Sequence, residues 1–138
     1  MNAITIKQEY AIPSTKLLQW KLAGSKIFKS LDLRSAYHAI DLDPETQLKC
    51  AVKTNSGTWI FQKMCFGLKN GPFSFALLIS KVLEGIEGIF TYFDDILIHF
   101  PDTTLHLETV EKIFQRLKAN CLYINMKKCK FAVDKILY

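Results

Sequence analysis

The sequence predicts an α+β domain, an antiparallel sheet covered by helices on one face, and three observations carry that expectation. A short β-branched and aromatic run, Ile89-Phe90-Thr91-Tyr92, is followed by two acids and then by a second such run, Ile96-Leu97-Ile98. That pattern is a hairpin with Asp94 and Asp95 at its tip. Upstream, Gly71-Pro72 opens a helix, because proline at the first helical position gives up no needed N–H. Downstream, Val110, Ile113, Phe114 and Leu117 recur at the i, i+3, i+4, i+7 spacing of a helix that buries one face.

Taken in chain order, an extended lead-in ends at Ile12-Pro13, and Ser14 is placed to cap a short helix through Leu17, Leu18 and Leu22 that Gly24 stops. Lys26 to Leu31 reads as a strand that runs extended into Asp32. Pro44 marks a turn, Gln47 to Lys53 reads as a strand, Asn55-Ser56-Gly57 as a hairpin loop and Thr58 to Gln62 as the return strand. The helix after Gly71-Pro72 is expected to bury Phe73, Ala76, Leu77, Ser80 and Leu83 and to stop near Gly85. Asp102 caps the next helix, on whose outer side Glu108 and Lys112 lie one turn apart. A last extended segment, Leu122 to Asn125, leads into the basic run Met126-Lys127-Lys128-Cys129-Lys130, and the chain then halts inside an apolar stretch, Lys135 to Tyr138, as though cut.

At 138 residues this is one domain, residues 1–138. A compact chain of that length buries roughly 65% of its extended surface, so a true core is within reach. Hydrophobic residues make up 49% and charged residues 22%, ordinary values for a globular protein, and no apolar run approaches the ~20 residues of a membrane span. The start lacks the basic-then-apolar pattern of a secretory signal, so an intracellular chain with no membrane partner is expected. A net charge of +5 permits a polyanionic partner without requiring one. Cys50, Cys65, Cys121 and Cys129 stand at wide, unequal intervals and read as packing thiols. A zinc site from His99, His106, Cys121 and Cys129 is set aside, because the spacing matches no usual one.

Chemistry is concentrated in the acids. Two adjacent carboxylates flanked by apolar runs repel one another unless a proton or a metal lies between them, and hard oxygen donors suit Mg²⁺ or Mn²⁺. Asp32, at the end of a partly buried strand, is a third acid that an antiparallel sheet can bring beside the hairpin tip.

Three stretches, Ser30-Leu31-Asp32-Leu33-Arg34-Ser35-Ala36-Tyr37-His38, Phe66-Gly67-Leu68-Lys69-Asn70-Gly71-Pro72 and Tyr92-Phe93-Asp94-Asp95-Ile96-Leu97-Ile98, resemble in order and spacing the palm motifs of reverse transcriptases, most closely those of gypsy-type long-terminal-repeat retrotransposons. Asn2 to Lys7, Phe114 to Lys118 and Leu122 to Phe131 extend the likeness over nearly the whole chain. The resemblance implies a palm with part of the fingers, and RNA-directed DNA polymerase activity in which Asp32, Asp94 and Asp95 are the catalytic carboxylates. With the backbone carbonyl of Leu33 they would hold two Mg²⁺ ions, or Mn²⁺, about 3.5–4 Å apart for nucleotidyl transfer to a primer 3′-hydroxyl. It further implies a dNTP site of Ala36, the steric-gate residue Tyr37, Phe66 and Gly67, and a primer–template contact through Tyr92, Phe93 and Lys69, with Lys81 and the Lys127-Lys128-Lys130 cluster as weaker phosphate contacts. The implied partners are an RNA or DNA template–primer, dNTPs, and the rest of a Pol polyprotein with its thumb, RNase H and integrase.

The chain departs from that family's pattern at Ala76 and Leu77, where a Gln-Arg or similar polar pair commonly follows the phenylalanine, at Ala36, where glycine is usual, and at His99-Phe100. Asn2 aligns with the last residue of a motif whose preceding arginine grips the triphosphate, and the primer-gripping segment would follow Tyr138. The expected activity therefore belongs to a longer protein. The competing expectation is a retrotransposon-derived fragment that no longer polymerises and binds nucleic acid or a protein through its basic surface.

Overall fold

A computed structural model of the chain describes residues 2–8, 15–92, 95–101 and 103–133. Helix α1 (Thr15–Leu22) precedes strand β1 (Ile27–Asp32), a 3-10 turn (Ala36–Ala39), α2 (Pro44–Lys49), β2 (Val52–Thr54), β3 (Gly57–Trp59), α3 (Gly71–Val82), β4 (Ile89–Tyr92), β5 (Asp95–Phe100), α4 (Thr103–Ala119) and β6 (Lys130–Val133). Four strands form one sheet in the order β4-β5-β1-β6, every pair antiparallel, while β2 and β3 pair only with each other.

The register sorts the side chains onto two faces. Leu31 lies opposite Ile96 and Lys29 opposite Ile98, so with Thr91 and Ile89 of β4 these residues share one face. On that face Leu31, Ile96 and Ile98 join Phe75, Ile79, Val82 and Leu83 of α3 and its end, and Val110, Ile113 and Leu117 of α4, in a single buried core. The other face carries Asp32 and Asp95, Ser30 and Leu97, Phe28 and His99, Phe90 and Tyr92. Helices α3 and α4 thus cover one face and the acids stand on the other.

Several elements differ from the sequence reading. Gln47 to Lys53 is not a strand: Pro44–Lys49 is helical and only Val52–Thr54 is extended. The Asp43 carboxylate accepts the backbone N–H of Thr46 at 3.0 Å, so Asp43-Pro44 is an N-cap followed by a proline in the first turn rather than a plain turn. The return strand is shorter than Thr58 to Gln62, and Asp41 makes an isolated bridge to Lys63 instead. In α3 the buried residues are Gly71, Phe75, Ala76, Ile79 and Val82, whereas Leu77 and Ser80 are exposed, because the helix turns its Phe75–Ile79–Val82 stripe to the sheet. On α4 the buried line is His106, Val110, Ile113 and Leu117, and Phe114 lies toward solvent. The caps expected at Ser14 and Asp102, the lead-in at Ile12-Pro13 and the stretch Lys135 to Tyr138 lie outside the described residues.

Between α3 and α4 the joint is polar. Arg116 donates from Nη1 to the carbonyls of Val82 at 3.1 Å and Glu84 at 3.4 Å, answering the unpaired carbonyls at the end of α3 with a cation. At the head of β4 the chain passes Gly88 with φ +72°, where a Cβ would meet the Phe100 ring at 2.1 Å. Only glycine lets that ring lie against the backbone.

Candidate metal and nucleotide site

The antiparallel register of β1 and β5 ends by setting Asp32 directly opposite Asp95, and Tyr92 pairs with Asp95 from the other side. Like charges facing each other across a ladder destabilise a sheet. Burial, and then the neighbouring Asp32, push the Asp95 carboxyl above its ordinary range, while Lys128 and Lys130 pull it back. The Asp32 side chain is 19% exposed, and its Oδ2 lies 3.4 Å from the Lys128 ammonium. Two oxygen-donor side chains brought together against their mutual repulsion, with a lysine leaning on one of them, fit a divalent cation.

Local sequence explains how Lys128 arrives there. Beyond α4 the chain turns through Cys121 at φ 55° and runs back along the end of β1: Arg34 N donates to Tyr123 O at 2.7 Å, Leu33 bridges Ile124, and Asn125 N donates to Asp32 O at 2.9 Å. The turn closes with Lys128 N on Asn125 O at 3.0 Å. The extended segment Leu122 to Asn125 is thereby stitched to the end of β1 and the residues after it. Leu33, expected to offer a backbone carbonyl, is itself 5% exposed and part of the core.

Beyond Ser35, which adopts φ 50°, the 3-10 turn presents buried Ala36 and half-buried Tyr37. The Tyr37 ring meets Phe66 edge-on, centroids 5.1 Å apart, and tilts against Phe75 at 5.7 Å. His38 also meets Phe66 edge-on at 5.6 Å and bonds the Met64 carbonyl through Nδ1 at 3.1 Å. Tyr37, Ala36, Phe66 and Gly67, distant in sequence, are thus gathered. A Cβ at Gly71, the first residue of α3, would reach Tyr37 Cε1 at 3.4 Å, so the helix start packs closely on that ring.

Phe93 and Asp94 lie outside the described residues. Tyr92 is 38% exposed on the same face as the acids. Lys69 is exposed, and its ammonium donates to the Thr5 carbonyl at 2.9 Å and the Asn2 carbonyl at 3.4 Å, which occupies much of the donor capacity expected for a phosphate. Among the described residues no group of three or more His, Cys, Asp and Glu is gathered, so the two carboxylates are the described part of the site. The sequence reading missed the Lys128–Asp32 pair, whose only signal was a basic run of the ordinary solvated kind.

A fold and a carboxylate pair of this kind define a polymerase-palm class of protein. The reverse transcriptase (RNA-dependent DNA polymerase) family model matches residues 1–138, and the chain belongs to that family, a family of nucleotidyltransferases. Among curated proteins it is 32% identical over 133 residues to the retrovirus-related Pol polyprotein from transposon 297 of Drosophila melanogaster, covering 95% of this chain and 13% of that protein. It is 34% identical over 131 residues to the transposon Tf2-3 polyprotein of Schizosaccharomyces pombe, covering 94% of this chain and 10% of the relative. The chain therefore spans about a tenth of the length of such relatives. A foamy viral protease-reverse transcriptase in complex with double-stranded DNA superposes with a TM-score of 0.89 at 20% identity over 99% of this chain and 24% of that one, a likeness of fold. Among the described residues no helix is long and apolar enough to cross a membrane.

Proposed function

We propose that the chain is the catalytic core of an RNA-directed DNA polymerase, adding deoxynucleotides to a primer 3′-hydroxyl within a longer retrotransposon Pol polyprotein of gypsy type. The observation that carries this reading is Asp32 opposite Asp95 on the sheet face opposite α3 and α4. A pair of carboxylates needs a cation there, and Asp32 and Tyr92 at that end of the face stay partly exposed for a template–primer.

Asp32 and Asp95, with the sequence neighbour Asp94, would hold two Mg²⁺ or Mn²⁺ ions, which when bound supply Lewis-acid activation of the primer hydroxyl and neutralise charge on the triphosphate. Tyr37, wedged between Phe66 and the start of α3, forms the wall against which the sugar packs and excludes a 2′-hydroxyl. Phe66, 69% exposed, and Gly67, with φ +88°, make a floor that a nucleotide approaches closely. Tyr92 and Phe93 meet the primer end, and one N–H of Lys69 is left for a phosphate. Lys128 neutralises Asp32 when no divalent ion is present and must yield to one. RNA or DNA template–primer, dNTPs, and the thumb, RNase H and integrase regions of the polyprotein are the partners this requires.

Primer extension by a polyprotein segment that includes this chain and its flanking regions tests the reading. Extension in Mg²⁺ is expected, with Asp32→Ala lowering the rate at least ~10³-fold, the scale of losing electrostatic stabilisation of the developing charge. Extension at the wild-type rate in that variant would overturn it.

A further inference from the structure

The segment 2–8 lies along the loop 67–70, and the bonds between them are reciprocal. The Asn2 side-chain amide donates from Nδ2 to Gly67 O at 2.7 Å and accepts Lys69 N at Oδ1 at 3.0 Å, gripping the backbone on both sides of Leu68. Asn70 returns the grip, donating from Nδ2 to Ile6 O at 2.9 Å and accepting Gln8 N at Oδ1 at 3.0 Å. Lys69 adds its ammonium to Thr5 O. Apolar burial does not hold this segment, because Ile4 is 80% and Ile6 86% exposed.

Besides the strap, the loop is held by Leu68, which packs against the core. A Cβ on Gly67 would meet nothing within 4 Å, and the Phe66 ring meets those of Tyr37 and His38 edge-on. Toward α3, Gly71 N donates to Leu68 O and Ser74 N to Asn70 O. Asn2, Phe66 and Gly67 line one cleft of about 900 Å³ together with His38 and Cys65.

We infer that segment 2–8 is a strap that fixes the Phe66–Gly67 floor for the incoming nucleotide, with Asn2 and Asn70 as its positioning residues. The inference rests on the proposed polymerase reading and names what holds its nucleotide floor. Neither asparagine touches the carboxylates, so their removal must act on the nucleotide and leave the cation alone.

The test is titration of the chain with dATP in the presence of Mn²⁺ by calorimetry, beside Mn²⁺ binding without nucleotide by electron paramagnetic resonance. Asn2→Ala and Asn70→Ala are expected to weaken dATP binding about tenfold each, the size of one or two lost hydrogen bonds, with Mn²⁺ binding unchanged. Asn70→Asp, which keeps the acceptor for Gln8 N and loses the donor to Ile6 O, should fall between the wild type and Asn70→Ala. Equal dATP binding in all four proteins would overturn the strap and leave the polymerase reading standing. Mn²⁺ binding without dATP binding in the wild type would overturn both the nucleotide floor and the strap. Parallel loss of Mn²⁺ and dATP in Asn70→Ala would show a collapsed fold in place of a positioned loop, and would overturn it too.

Discussion

The four-stranded sheet and the β2–β3 hairpin are both antiparallel, yet they are held by different means. In the sheet Leu31, Ile96 and Ile98 share one face and are at most 1% exposed, and a slip of one residue would carry that apolar set to the wrong face. The hairpin exposes every residue of both its strands, Trp59 among them at 62%, and its visible supports are short polar links such as Trp59 Nε1 to Thr54 Oγ1 at 3.2 Å. The difference teaches where precision comes from. Opposition of Asp32 and Asp95 is a by-product of a register fixed by core packing, whereas β2 and β3 have no buried face to set theirs.

The sharpest way to break that comparison is to truncate one side chain in each region. Ile98→Ala should cost about 2–5 kcal/mol in urea unfolding of the chain, as large-to-small changes in a packed core do, while Trp59→Ala should stay within about 0.5 kcal/mol. A comparable loss at Trp59 would show the hairpin to be packed after all. A smaller effect comes from His106, 1% exposed beside the Phe100 ring, with neither ring nitrogen hydrogen-bonded among the described residues. Burial, helped by Lys29, holds its pKa below the ordinary value. The unfolded chain then takes up a proton near pH 6.5 while the folded chain resists it. Its contribution to stability is complete above that pH and is lost as pH falls toward the lowered pKa. Melting temperatures should therefore drop below about pH 6.5, and His106→Leu should flatten that dependence; an unaltered slope would assign it to another group.

Legibility in the sequence followed the same divide. The hairpin of β4 and β5, strand β1, the proline-opened α3 and, Phe114 apart, the core stripe of α4 were readable because periodicity and turn residues report local structure. Helix α2 was misread although Asp43-Pro44 carries a capping signature, since the β-like composition of Lys49 to Lys53 outweighed it. The buried face of α3 was displaced because Phe73 and Leu77 are as apolar as Phe75 and Ile79, and only the sheet decides which pair turns inward. At the site, the approach of Asp32 to the hairpin acids was expected of an antiparallel sheet, and Asp32 lies opposite Asp95; the direct contact of the Tyr37 and Phe66 rings was not foreseen. The Asn2–Asn70 strap and the Lys128–Asp32 pair were not, because they join residues more than sixty positions apart through side chains that have no periodic pattern.

The claim most exposed to measurement is that folding brings the acids into one divalent-cation pocket, and Mn²⁺ titration of the metal-free chain followed by electron paramagnetic resonance tests it directly. The wild type should bind Mn²⁺ and Asp95→Asn should not. In the same variant the metal-free chain should melt at a higher temperature at neutral pH: the raised Asp95 pKa means that the fold loses stability as pH climbs from about 3.8 through the raised value, and an uncharged amide removes that loss. Undiminished Mn²⁺ binding by Asp95→Asn, or none by the wild type, would contradict the account.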